Sequence, residues 1–213
     1  MGMFITFEGP EGSGKTTQIK LLAAHLQAAG YDVLDTREPG GTLIGEQIRA
    51  VLHDLNNTAM VDKAEVLLYA ASRAQHVGQL IRPALAQGKV VISDRYADST
   101  LAYQGYGRGL DLDALQQITA FATGGLTPHL TLYLDCSVEE GLKRKQQARS
   151  LGEGEWNRLD QEAVEFHRRV HQGYLALIAA APDRWCVLDA RRSIEELQRE
   201  IQRAVETKLE RGV

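Results

Sequence analysis

Three glycines, a lysine and a threonine at fixed spacing carry the clearest chemistry in the chain. Gly9-Pro10-Glu11-Gly12-Ser13-Gly14-Lys15-Thr16 fits the pattern G-x-x-x-x-G-K-T. Such a loop points several backbone N–H groups at one polyanion, and bulky side chains would hold those groups away. Gly9, Gly12 and Gly14 remove that obstacle. Lys15 adds a point charge for outer phosphates, and the Thr16 hydroxyl suits a magnesium ion. Glu11 is out of place here, because a carboxylate repels phosphate at close range. It is either a solvated loop residue or turned away, towards a donor such as a sugar hydroxyl.

Other residues with chemical potential lie further along. Tyr69 and Arg73 are four apart on a helical pattern, with His76 one turn on. They read either as an aromatic plate beside a guanidinium, fit for a base joined to a phosphate, or as a core tyrosine and a solvated arginine. Asp94-Arg95-Tyr96 ends an apolar run. Asp94 offers a carboxylate to a metal and Arg95 a fork to a phosphate, unless the two form a structural pair. Ser99, Thr100, Tyr103 and Gln104 follow at helical spacing, and Tyr103 to Gly109 reads as ending in a flexible stretch. Lys143, Arg144, Lys145 and Arg149 precede a glycine-containing segment, Ser150 to Glu155. That is the composition of an active-site lid or of a charged surface.

The elements that position these residues alternate in type. Met3–Glu8 reads as a buried strand leading into the loop, and the helix after it opens near Lys15, with its positive end at the loop. Further strands are expected at 31–36, 90–93, 129–135 and 185–189. Helices are expected at 42–53, 63–86 with a bend near Pro83, 110–122, from Ser137, 157–181 as one long element, and 193–209. Ser137 with Glu140, and Ser193 with Glu196, have capping-box spacing. Alternating strands and helices imply right-handed parallel crossovers, and hence one doubly wound α/β domain over residues 1–213. In such sheets ligands bind beyond the carboxyl ends of the strands, where the phosphate loop, Arg37 to Gly41 and Asp94-Arg95 all fall.

Composition narrows the classes. Hydrophobic residues make up 44% and charged residues 24%, ordinary for a globular domain, and the formal charge of −4 argues against nucleic acid as a partner. No apolar run approaches a membrane span, and the N-terminus enters a strand directly rather than a secretory signal. Cys136 and Cys186 lie in no metal spacing and read as buried, reduced thiols of a cytoplasmic protein.

With these motifs in order, the chain resembles bacterial thymidylate kinases, which are nucleoside monophosphate kinases of the P-loop NTPase fold. The likeness rests on the phosphate loop, Arg37-Glu38-Pro39-Gly40-Gly41-Thr42, Ala71-Ser72-Arg73-Ala74-Gln75-His76, Asp94-Arg95-Tyr96 and Ala102-Tyr103-Gln104-Gly105. It implies a five-stranded parallel sheet of order 2-3-1-4-5, helices on both faces, a mobile lid at about 143–158 and a homodimer. It also implies transfer of the γ-phosphoryl of ATP to dTMP, with Mg2+, in dTTP biosynthesis. ATP would lie on the loop from Gly9 and Pro10 to Thr16 and Thr17. The metal would lie at Thr16 and Asp94. By the same resemblance dTMP would meet Glu11, Pro39, Tyr69, Arg73, Arg95, Ser99, Thr100, Tyr103 and Gln104. Tyr69 would stack on thymine, Arg95 would grip the phosphate, Tyr103 would crowd the 2′ position, and Glu11 would read the 3′-OH. One subgroup of the family carries a basic residue where this chain has Gly12. Catalytic charge must therefore come from Lys15, Arg95 and the lid, with Lys145, Arg149 and Arg158 as candidates.

Two other readings remain at this level. A kinase for another nucleotide or small metabolite would use the same loop. A GTP-dependent switch would normally carry N-K-x-D, which is absent.

Overall fold

The computed structural model describes residues 2–152 and 156–210. β1 (Met3–Glu8) leads through the phosphate loop into α1 (Lys15–Ala28), and β2 (Val33–Arg37) leads into α2 (Leu43–His53). α3 (Asp62–His76) runs through a π-helical turn, Val77–Ile81, into α4 (Arg82–Ala86) and then β3 (Val90–Asp94). α5 (Ala97–Thr100) continues as a second π-helical segment, Leu101–Gly107, followed by α6 (Leu112–Thr123) and β4 (Leu130–Asp135). α7 (Val138–Ser150), α8 (Val164–Ala180), β5 (Trp185–Asp189) and α9 (Ile194–Glu210) complete the chain.

The five strands are parallel and ordered β2-β3-β1-β4-β5, as expected. β1 is central, and its pleat decides what each face contains. Met3, Ile5 and Phe7 face α1 and α9, where Ile19, Leu22, Leu26, Leu197, Ile201 and Val205 close one core. Phe4, Thr6 and Glu8 face the other way. Phe4 packs with Val77, Ile81 and Tyr96, and Thr6 pairs with Thr131 at 3.0 Å. Glu8 is therefore buried on the side where α5 and α8 meet the sheet, two residues after the last polar pair and just ahead of the phosphate loop.

Several local expectations change. The bend near Pro83 is a widened turn placed one step earlier, at Val77–Ile81. A π turn accommodates a proline ring and its missing N–H without ending the helix. Tyr103 to Gly109 is not a flexible stretch. It is helical through Gly107 and packs along α8, so closely that a Cβ on Gly107 would stand 2.7 Å from the Phe166 ring. Residues 157–181 are not one helix. Asn157 and Asp160 form a capping box around a short 3-10 turn, Arg158–Gln161, and extended Glu162 and Ala163 separate it from α8. The Ser193–Glu196 capping box forms reciprocally. At α7 only the Ser137 half forms, because Glu140 turns to Arg144 instead. β2 begins two residues later than expected, at Val33. Cys136 is buried but Cys186 is only half-buried.

His129 stands at the entrance of β4. Its ring Nδ1 accepts the Phe4 backbone N–H at 2.8 Å, while the His129 backbone N–H donates to the Phe4 carbonyl at 2.9 Å. The imidazole thus completes the β1–β4 ladder, and burial together with Lys208 pushes its pKa down, towards the neutral form that can accept.

Candidate active site

A cavity of about 530 Å³ opens above the carboxyl ends of β1, β2 and β3. Its floor is the phosphate loop. Gly9, Gly12 and Gly14 all have positive φ, the conformation that turns successive N–H groups inward. The tip of the loop touches α7 backbone to backbone. A Cβ on Gly12 would lie 2.1 Å from the Gly141 carbonyl, and one on Gly141 would lie 2.2 Å from the Glu11 carbonyl. No side chain of any kind fits at position 12, so the basic residue found there in one subgroup has no place in this chain.

Lys15 is buried, and its ammonium donates to the carbonyls of Gly9 (3.1 Å) and Pro10 (2.9 Å) and to Ser13 Oγ (3.3 Å). Burial and the Arg95 charge push its pKa down to about 8. At the cavity mouth Thr16 Oγ1 donates to Asp94 Oδ2 at 2.9 Å. Two hard oxygens in contact fit a magnesium ion that takes few protein ligands and completes its shell with phosphate and water.

Opposite the loop is a network of ionised side chains. Arg95 is the one non-glycine residue with positive φ among the described residues, at 68°. Backbone strain of this kind persists where the surroundings hold it, and here they do. Arg95 donates to Glu11 (2.6 Å), Tyr103 OH (2.9 Å), Tyr174 OH (3.1 Å) and Ser99 Oγ (3.2 Å). Its guanidinium also lies 4.9 Å from the Tyr103 ring centre. Glu11 is not solvated. It points into the cavity, bound to Arg95, Tyr103 and Lys145. Burial pushes the Glu11 carboxyl up, but Arg95 and Lys145 outweigh this and hold it well below the usual range. Lys145 also pairs with Asp160 at 2.6 Å, so α7 is linked to the capping box beyond it.

Three acids that the sequence reading did not single out organise this wall. Glu8 is fully buried and accepts Tyr96 N–H (2.9 Å), Ser99 Oγ (2.6 Å) and Tyr174 OH (2.7 Å). Burial, then Asp98, raises its pKa to about 7. Glu38 holds Arg73 Nε at 2.8 Å and His76 Nδ1 at 3.0 Å. Burial pushes its carboxyl up, and Arg73 and His76 bring it below the ordinary value. Glu65 holds Gln104, Arg108 and Arg158. Signals for two of them exist in the sequence. Glu65, Tyr69 and Arg73 form an i, i+4, i+8 stripe, and Glu38 lies inside one of the recognised motifs. Glu8 is an acid closing an apolar strand, which a strand count alone passes over.

Every residue expected at the acceptor site lines this one cavity: Glu11, Pro39, Tyr69, Arg73, Arg95, Ser99, Thr100, Tyr103 and Gln104. Arg73 is buried rather than solvated, with Thr100 (2.9 Å) and the Tyr96 carbonyl (3.0 Å) completing its partners. Of the three cations expected in the lid, Lys145 lines the cavity and Arg149 and Arg158 do not. Arg149 lies over the Trp156 indole, 4.6 Å from its centre, and Arg158 is paired with Glu65. The lid expected at 143–158 includes Glu153, Gly154 and Glu155, which lie outside the described residues.

The family model for thymidylate kinase matches residues 7–201. The chain belongs to the thymidylate kinase family. A thymidylate kinase of Roseiflexus sp. (strain RS-1) is 57% identical over 97% of this chain and 94% of its own length. That of Geotalea uraniireducens is 50% identical over the whole of both chains. Among solved structures, the thymidylate kinase from Ehrlichia chaffeensis superposes with a TM-score of 0.76, at 34% identity, covering 96% of this chain and 98% of that one. The protein is therefore an ATP-using kinase, and the reaction of its family is the phosphorylation of dTMP to dTDP.

Proposed function

We propose that the residues lining the cavity divide this reaction between a donor half and an acceptor half. The carrying observation is the enclosure of the phosphate loop, Arg95 and the expected acceptor residues in a single cavity. In the donor half, the loop from Gly9 to Thr17 cradles the ATP phosphates, and Lys15 neutralises charge that builds on the transferred group. Thr16 and Asp94 would hold Mg2+, which when bound screens the phosphate charges and orients them.

In the acceptor half, Tyr69 stacks on thymine, Arg73 and Gln104 meet the base, and Thr100 lies beside them. Arg95 grips the dTMP phosphate, and Glu11 and Tyr103 read the sugar. The acceptor phosphate is already an anion, so no general base is required. Lys145 is the lid cation best placed to reach the transferred group, because it is already inside the cavity; Arg149 and Arg158 would need a rearrangement to do so.

The reading is tested by ADP release from ATP and Mg2+ with dTMP, dUMP, dCMP, dGMP, UMP and no acceptor in parallel. Turnover with dTMP far above the rest is expected. Equal release with and without acceptors would leave only the phosphate loop standing.

We also propose a homodimer working in the cytoplasm. Support for the dimer comes from apolar residues left in water on α2, α3 and α6: Leu43 is 85% exposed, Leu67 59% and Phe121 89%. Leu67, Ala71 and Ala74 form one exposed apolar stripe along α3. Light scattering should give twice the chain mass, and Leu67→Lys should halve it. A monomeric wild type at micromolar concentration would remove the idea. For the cytoplasm, the free cysteines agree, and among the described residues no helix is long and apolar enough to cross a membrane.

A further inference from the structure

Glu65 stands behind the base end of the cavity and is 1% exposed. Its Oε1 accepts from Gln104 Nε2 at 2.8 Å and from Arg108 Nε at 3.3 Å. Its Oε2 accepts from Arg108 Nη2 at 3.1 Å and from Arg158 Nη2. Burial pushes this carboxyl up, but hydrogen bonds from Arg108, Arg158 and Gln104 bring it below the ordinary value, so it is ionised. An ionised carboxylate accepts and cannot donate. The Gln104 side chain, itself 2% exposed, must therefore turn its NH2 towards Glu65 and its carbonyl oxygen towards the cavity it lines. A free glutamine could present either end.

We propose that Glu65 is a positioning residue that makes the base end of the acceptor pocket select pyrimidines carrying an N3–H, by fixing which end of the Gln104 amide faces the cavity. The inference rests on the acceptor-pocket reading above. Thymine and uracil present N3–H as a donor, which the Gln104 carbonyl accepts. Cytosine presents N3 as an acceptor. Against a carbonyl held in place it leaves two lone pairs facing each other, and buried groups left in that way discriminate strongly. The same acid also anchors Arg108 at the end of the π-helical segment and Arg158 in the 3-10 turn that follows α7, so base selection and that turn share one residue.

Glu65→Gln tests the assignment. The new amide offers both a donor and an acceptor, so Gln104 is no longer held to one orientation. The dTMP:dCMP ratio of kcat/KM is expected to fall about tenfold or more, with dCMP turnover rising. The dTMP:dUMP ratio should not change, because both bases present the same edge. Glu65→Asp keeps the negative charge for Arg108 and Arg158, which long flexible guanidiniums can follow, while the shorter side chain loosens its hold on Gln104. It should shift the dTMP:dCMP ratio in the same direction by a smaller factor, with a melting temperature near that of the wild type. In a Gln104→Ala background, Glu65→Gln should leave the ratio where Gln104→Ala alone puts it.

If turnover of dTMP and dCMP falls in parallel in both Glu65 variants, the residue is structural only and the proposal is overturned. A further fall of the ratio in the Gln104→Ala background would overturn it equally. A wild-type enzyme that does not prefer dTMP to dCMP would instead sink the acceptor-pocket reading on which it rests.

Discussion

The two walls of the cavity are built on different plans. The donor wall is backbone: glycines with positive φ, a helix start and one lysine, all within a single run of residues. The acceptor wall is side chains: Glu8, Glu11, Glu38 and Glu65 face Arg73, Arg95, Arg108 and Lys145, drawn from β1, the phosphate loop, the β2–α2 turn, α3, the β3–α5 turn, the end of the π-helical segment and α7. A polyphosphate is recognised by charge and repeats its own geometry, so one loop is enough. A nucleoside monophosphate needs a base edge, a sugar and a phosphate read at once, which requires groups from several directions. The donor wall should therefore fail all at once, and the acceptor wall piecemeal.

The largest effect is expected at the donor wall. Lys15→Ala should lower kcat by about three orders of magnitude or more, with circular dichroism and melting close to wild type, because the ammonium bonds only the loop's own oxygens. Near-normal turnover in that variant would refute the role of Lys15 and the contrast between the walls with it. Where the walls touch, Gly141→Ala should destabilise the fold by about 1–3 kcal/mol, since its Cβ would be forced against the Glu11 carbonyl. Thermal melting checks this. An unchanged midpoint would mean that the loop and α7 separate freely.

At the acceptor wall the effects should be selective. Glu8 has its pKa raised from 4.5 to about 7. Between those values the folded chain binds the proton that the unfolded chain has released, so stability falls as pH rises through this window. The contribution is fully present below 4.5 and gone above about 7, a loss of about 3 kcal/mol. Urea midpoints at pH 5 and pH 8 should show this loss in the wild type and not in Glu8→Gln. Equal pH dependence in both would show that other groups cause the loss and would overturn the raised pKa of Glu8.

The same difference in plan explains what could be read from the sequence. The phosphate loop and the five strands are legible because each depends on local spacing or on a motif in one run, whereas the sheet order follows only from the family resemblance. Where the reading stopped, the deciding partner was distant. Asn157 to Ala181 reads as one helix until Lys145 takes Asp160 and Asn157 caps the turn. Tyr103 to Gly109 reads as ending in a flexible stretch until α8 packs along it. Glu8 reads as an ordinary strand residue until Ser99 and Tyr174, 91 and 166 positions away, close on it. Charge networks between elements have no fixed spacing, so composition and periodicity pass over them.

The smallest and most selective effect should come from Tyr103. Its hydroxyl donates to Glu11 at 3.0 Å and accepts from Arg95 at 2.9 Å, and its ring lies under the Arg95 guanidinium. It therefore shapes the end of the cavity proposed to hold the sugar, without carrying charge of its own. Tyr103→Ala removes the ring that would crowd a 2′-hydroxyl but leaves the Glu11–Arg95 pair in place, so phosphate binding should survive. The expected result is a fall of about three- to tenfold in the dTMP preference over its ribonucleotide counterpart, read as a ratio of kcat/KM, with kcat for dTMP changed much less. An unchanged deoxy-to-ribo ratio would move sugar selection to Glu11. A large loss of kcat would mean that the hydroxyl holds Arg95 in its strained backbone conformation, and that this wall, like the donor wall, fails as a unit.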